Sequence, residues 1–121
     1  MSLGTTRRTD NAGRYVQSPQ FARFALILVA ILTEVESEPR LSARTSDVSR
    51  TGCYVDTLNP IPQGKLVRVA LNGGEESFES RGRVMYVSPG LGLGIQFEEP
   101  VEPRQLEVLN RWLEKSAHFR L

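Results

Sequence analysis

The pattern of apolar and polar positions changes character at Arg23. Before it, residues 1–20 read MSLGTTRRTDNAGRYVQSPQ, a polar stretch in which only Tyr15 and Val16 could join a core. Such a segment is expected to be a flexible N-terminal arm in the absence of ligand. After it, short apolar stretches are separated by Pro, Gly, Asn and Ser at the intervals of an all-β domain, which places one domain over 21–121.

Within that domain FALILVAIL, from Phe24 to Leu32, is too continuous for periodicity alone to settle, and its neighbours favour a strand closed by ESEP. RLSART alternates more clearly, DVSRTG at 47–52 interrupts, and GCYVDT resumes before the turn-forming LNPIPQG. KLVRVAL alternates again, and the following NGG is a strong hairpin signal. In SFESRGRVMYVS, Phe78, Val84 and Tyr86 stand among polar residues, with Gly82 expected at a bulge or sharp bend. LGLGIQF places Gly92 and Gly94 between apolar residues, as in a strand pressed against other backbone. After EEP the period turns helical: Pro103 suits the first helical position, and Leu106, Val108, Leu109, Trp112 and Leu113 mark an apolar face. About six strands and one helix cannot hide both faces of an open sheet. Closure into a small antiparallel barrel with a C-terminal helix is therefore expected.

A length of 121 residues fits one compact domain. The net charge of +1 provides no global field toward nucleic acid or an anionic membrane, so any anion site must be local. Thirteen Arg against two Lys leave the cationic groups mostly as guanidinium, the group that grips phosphates and purine edges with two donors. Cys53 is the lone cysteine, which excludes an intrachain disulfide and a Cys-based metal site and suits a reducing cytoplasm. The nine-residue FALILVAIL is about half the length a membrane-spanning helix needs. A soluble, cytoplasmic protein without membrane insertion is expected.

Catalytic chemistry has little support. His118 stands alone near the C-terminus, without metal-ligand spacing and far along the chain from Ser49 and Cys53, and reads as an exposed residue at a helix end. The pairs Glu75–Glu76 and Glu98–Glu99 occupy turns. GLGLG at 90–94 lacks the Lys and Ser or Thr of a phosphate loop and opens no helix. No enzyme, metal or cofactor is expected.

DVSRTG is more directional. On an extended segment Asp47 and Ser49 would emerge on one face, with Val48 on the other. That face would pair a carboxylate with a hydroxyl, a set suited to the N1 and N2 hydrogens of a guanine edge, and Gly52 would let the chain turn where a side chain would block. An Asx or Ser turn explains the same residues equally well.

Taken together, DVSRTG between two strands, GRV at 82–84, GLGIQF at 92–97 and the amphipathic terminal helix make the chain from about Phe21 to Lys115 resemble the PilZ domain family. The resemblance implies a small antiparallel β-barrel with a C-terminal helix, and binding of the bacterial second messenger cyclic di-GMP. Asp47, Ser49 and Gly52 match the motif D/N-x-S-x-x-G, which implies contact with a guanine of the ligand. Arg23, just ahead of the first strand, stands where the second arginine of an R-x-x-x-R motif belongs; Pro19 occupies the position of the first. RLSAR at 40–44 has the same spacing but lies on the second strand. Arg14, with Arg7 and Arg8, would restore the missing contact if the arm folded back.

The implied function is that of a receptor that passes the ligand signal to an effector protein by ordering its arm. The alternative is a PilZ-like scaffold that has lost its ligand and serves protein–protein interaction, a reading that an Arg23 held in a salt bridge would favour. A small RNA-binding barrel is disfavoured, because no aromatic platform stands among basic residues. Monomer and homodimer both remain open, since an exposed apolar strip on the last helix would support a dimer.

Overall fold

In the computed structural model residues 22–116 are described in full, and Ala117 and His118 through their backbone. Ahead of them only the backbones of β1 (Arg8–Thr9) and β2 (Tyr15–Val16) are described, paired antiparallel with Arg8 opposite Val16. Arg7, Arg14, Pro19 and the expected flexibility of the arm lie outside the described residues.

Alternation along the chain becomes inside and outside of a closed sheet. In β6 (Leu66–Asn72), Val67, Val69 and Leu71 are buried while Arg68 and Asn72 are exposed. The remaining strands are β3 (Val29–Glu34), β4 (Arg40–Val48), β5 (Gly52–Asp56), β7 (Ser77–Ser88) and β8 (Gly92–Phe97). With β6 they close into an antiparallel barrel in the order β3-β4-β5-β8-β7-β6. The NGG stretch makes the β6–β7 hairpin as expected, with the Gly74 amide donating to Asn72 Oδ1 at 2.8 Å. The connection from β5 crosses the barrel to β6 and carries Ile61 into the core. Phe78 and Phe97 meet in that core with ring centroids 4.9 Å apart.

Only the second half of FALILVAIL joins the barrel ladder. Residues 24–28 run along the end of β4 that β3 leaves unpaired, and Phe24 and Val48 exchange two backbone hydrogen bonds of 2.8 and 2.9 Å. Thr45 is the physical reason. Its buried hydroxyl accepts from the Leu28 amide at 2.9 Å and donates to the Leu26 carbonyl at 2.6 Å, replacing ladder rungs with side-chain bonds. Thr45→Val keeps the shape and strips both bonds, so the folded state is expected to lose about 1–3 kcal/mol, read as a lower denaturant midpoint at unchanged slope.

Two β-bulges break the register, one between Thr45 and Asp47 in β4 and one between Val84 and Tyr86 in β7. The bulge expected at Gly82 is thus displaced. Gly82 is in register with Val67 and Phe97 and is required by space, because a Cβ there would lie 2.7 Å from Ile95 Cγ2.

The helix α1 (Pro103–His118) starts at the expected proline. Glu102 caps it: its carbonyl accepts from the Leu106 amide at 2.9 Å and its Oε1 from the Gln105 amide at 3.1 Å. Leu109 and Leu113 are buried and Leu106, Val108 and Trp112 partly so, packed against the core. Arg111 grips Glu76 with two donors, and the Trp112 indole covers Gly73, where a Cβ would lie 2.6 Å from the ring. The helix's apolar face, read from the sequence as one seat that would support a dimer, is turned onto the barrel. Among the described residues no helix is long and apolar enough to cross a membrane.

Candidate functional site

Strict alternation along β4 would put Thr45 inside, Ser46 outside and Asp47 inside. The register instead sets Thr45 opposite Val55, Asp47 opposite Tyr54 and Val48 opposite Cys53, leaving Ser46 as the extra residue. One inserted residue thus keeps Thr45 and Val48 in the core and turns Asp47 out, the re-aiming that bulges perform. The approach segment then brings Arg23 to Asp47, with Nε 3.0 Å from Oδ1 and each side chain about one third exposed, at 34% and 33%. Oδ1 itself is buried and accepts no aligned hydrogen bond, so the contact is ionic at close range without hydrogen-bond direction. The carboxylate therefore retains hydrogen-bonding capacity that Arg23 does not use.

Asp47 and Ser49 do not share a face. The strand ends at Val48, and Ser49 already belongs to the turn, with 1% of its surface exposed. Its Oγ accepts from the amides of Thr51 and Gly52, both at 3.2 Å, and donates to the Gly52 carbonyl at 3.3 Å, while its own amide donates to that carbonyl at 2.8 Å. The hydroxyl is spent on building the turn. Gly52 also has a different reason from the one expected. It opens β5, and a Cβ would fall 2.0 Å from the Ile95 carbonyl oxygen, so glycine is needed for the approach of β5 to β8.

Cys53 lies directly behind the site. Burial pushes its thiol up from 9.0 to about 12; the Arg23 charge opposes this shift and the Asp47 charge adds to it. The raised value means that the unfolded chain sheds a thiol proton above pH 9 that the folded chain retains until about pH 12. This thiol's share of stability is thus complete below pH 9 and is lost as pH rises toward 12, at up to about 1.4 kcal/mol per pH unit. Cys53→Ala is expected to flatten that part of the alkaline stability profile in denaturant titrations at stepped pH. In the folded wild type the thiol should resist disulfide reagents at neutral pH.

Two features of the site join residues far apart in sequence and were not legible there. Arg50, at the turn's tip, donates from Nε to Asn110 Oδ1 of α1 at 3.1 Å, tying the turn to the helix. Tyr54 and Tyr86 lie side by side on the outer face, with ring centroids 6.1 Å apart and planes tilted by 30°. Arg44, exposed and opposite Asp56, faces the same side as Asp47 because Asp56 and Tyr54 are two apart on β5. A hollow of about 530 Å³ lies elsewhere, between Leu26, Leu28 and the Trp112 side of α1. The charged cluster lies apart from that hollow, and its chemistry, two opposite charges beside an aromatic pair, defines the site better than the hollow's shape does.

The PilZ domain family matches residues 17–115. No curated protein matches the sequence. Among solved structures, the fold is similar to that of the Bacillus subtilis inhibitor of motility MotI/DgrA, with a TM-score of 0.67 at 15% identity. That match covers 94% of this chain but only 58% of the inhibitor, so the chain spans little more than half its length. The PilZ domain of YcgR from Escherichia coli, solved with c-di-GMP, matches with a TM-score of 0.67 at 17% identity, over 84% of this chain and 93% of that one. The PilZ domain of CeSA from a cellulose-synthesising bacterium matches with a TM-score of 0.61 at 16% identity, over 75% and 93%. At such identities the likeness is one of fold.

Proposed function

The chain belongs to the PilZ domain family, and on that premise we propose that it receives cyclic di-GMP on the outer face around Asp47 and relays the signal to a partner protein. PilZ domains are receptor or adaptor domains rather than enzymes. The observation that carries the reading is the meeting of Arg23 and Asp47 at 3.0 Å on one outward patch. A guanidinium for phosphate or guanine face and a carboxylate for the guanine edge then stand side by side. Their ion pair is part-exposed and worth at most about 1 kcal/mol, so a ligand that offers each charge a better partner replaces it at small cost. Ser49 and Gly52 hold the turn behind Asp47. Arg14 from the arm supplies the second guanidinium where Pro19 leaves a gap, and ordering of the arm over the ligand creates the surface that the partner reads. The Arg50–Asn110 hydrogen bond gives the turn a second route outward, through α1.

Calorimetric titration tests the proposal, with saturable heat expected at cyclic di-GMP concentrations on the order of tens of micromolar. A flat titration favours the second reading, a scaffold that no longer binds the messenger and acts through protein contacts. One observation speaks for that scaffold: Arg23 is already engaged by Asp47.

A further inference from the structure

The two bulges serve one row of the barrel's outer face. In β4 the extra Ser46 turns Asp47 out to stand opposite Tyr54. In β7 the extra Met85 lets Val84 and Val87 face inward, opposite Ile95 and Leu93, and turns Tyr86 out, opposite Gly94. Tyr54 is itself opposite Gly94 on its other side. Since β4, β5, β8 and β7 are consecutive in the barrel, Asp47, Tyr54, Gly94 and Tyr86 form a single line across four strands. Neither end of that line would face outward under plain alternation.

The glycines set the posture of the rings. A Cβ at Gly94 would lie 2.2 Å from Tyr86 Cε1, and one at Gly92 would lie 2.9 Å from Tyr54 Cε2. The tyrosines therefore lie down over a floor without side chains. Their 30° tilt joins them into one broad aromatic surface, and Tyr86 remains 46% exposed. Large exposed aromatic area next to a charged recognition pair is costly to leave in water and useful to a flat ligand.

We propose that Tyr54 and Tyr86 form a stacking shelf on which a purine base of the nucleotide held at Arg23 and Asp47 lies. The proposal rests on the receptor reading above and adds a contact to it. Neighbouring strands lie about 4.8 Å apart, so a base whose edge is read by Asp47 already overlies Tyr54, and the line continues toward Tyr86. Carboxylate to edge and aromatic ring to face is a geometry that selects a planar base, and stacking contributes without regard to which base edge is presented.

The test is titration of cyclic di-GMP into the wild type and into Tyr54→Leu, Tyr86→Leu and the corresponding Phe variants, with proton spectra of the tyrosine rings. The Leu variants are expected to bind between about fivefold and about a hundredfold more weakly. The Phe variants keep the ring over the glycine floor and bind as the wild type does, and the tyrosine ring protons move upfield when ligand is added. Wild-type binding that both Leu variants retain in full, with unmoved ring protons, overturns the shelf and leaves the receptor reading standing. If the wild type takes up no ligand, the receptor reading fails at the first titration and the shelf falls with it. Because the Phe variants preserve the packing on Gly92 and Gly94, a loss confined to the Leu variants at unchanged melting temperature assigns the effect to stacking.

Discussion

Asp47→Ala is expected to weaken cyclic di-GMP binding by about tenfold to about a hundredfold in calorimetric titration. The figure follows from a charge-assisted hydrogen bond contributing about 1.5–3 kcal/mol, with each 1.4 kcal/mol equal to a factor of ten. One effect runs the other way. Removing the carboxylate frees Arg23 from its 3.0 Å ion pair, which makes its guanidinium more available to phosphate. That gain is capped at about 1 kcal/mol, because the pair is part-exposed. The loss therefore wins, and a full offset brings its lower bound to about twofold. Arg23→Ala is expected to cost a similar factor and to leave the buried Oδ1 of Asp47 without its counter-charge. The double variant should exceed the sum of the two singles by the strength of the ion pair, because release of that pair offsets each single loss but is counted only once in the double. Neither change touches the core, so melting temperatures should move by no more than a few degrees. Identical binding by the wild type and Asp47→Ala would remove Asp47 from the site.

The barrel could be read from the sequence wherever one residue in two had to be buried. The alternation of KLVRVAL, the NGG hairpin, the glycines of GLGIQF and the switch of period at Pro103 all correspond to observed elements. Reading failed where a partner strand decides the outcome. A bulge inserts one unpaired residue, and the chain does not say whether Ser46, Met85 or Gly82 will be it. The neighbouring register does. For the same reason the sequence placed Asp47 and Ser49 on one face, although the strand stops between them and the Ser49 hydroxyl is drawn into the turn. FALILVAIL misled in another way, since a single buried threonine on β4 satisfies backbone groups that a ladder would otherwise have taken.

The candidate site was half legible. Arg23 and Asp47 are 24 positions apart in sequence, and their family spacing implied that both face one ligand; the structure brings them together as an ion pair, the arrangement expected from sequence to favour the scaffold alternative. The aromatic neighbours were invisible because Tyr54 and Tyr86 become adjacent only through two glycines on a strand between them. The sequence expectation concerned a platform among basic residues; the tyrosine pair that the fold assembles is a different feature. The platform stands beside Asp47 rather than among basic residues, which suits a base held by its edge better than a polyanionic strand.

Gly52→Ala is expected to be among the most damaging single-methyl additions in the molecule, and the reason separates it from the glycines of positive φ. At Gly64, Gly74 and Gly90 the backbone takes φ of 90°, 99° and 75°, with open space where a Cβ would go. Alanine there meets only backbone strain, on the order of 1–2 kcal/mol. Gly52 has no such strain to relieve. Its obstacle is the Ile95 carbonyl oxygen, 2.0 Å from the ideal Cβ, and that oxygen is backbone and cannot swing aside like a side-chain tip. Accommodating the methyl forces β5 away from β8, at the edge of a ladder that also holds Cys53 opposite Ile95 and Val55 opposite Leu93 in the core. A loss at or beyond the upper end of the usual overpacking range, about 3 kcal/mol, is expected, equivalent to a fall in melting temperature of roughly 10 °C or more. Thermal unfolding of Gly52→Ala beside Gly90→Ala decides the matter. Equal shifts would mean that Gly52 serves the turn's conformation after all, whereas a much larger shift at Gly52 ties this motif glycine to the seam between β5 and β8. Any loss of ligand binding in Gly52→Ala should then follow loss of the folded barrel, with affinity restored at temperatures where the variant is still fully folded.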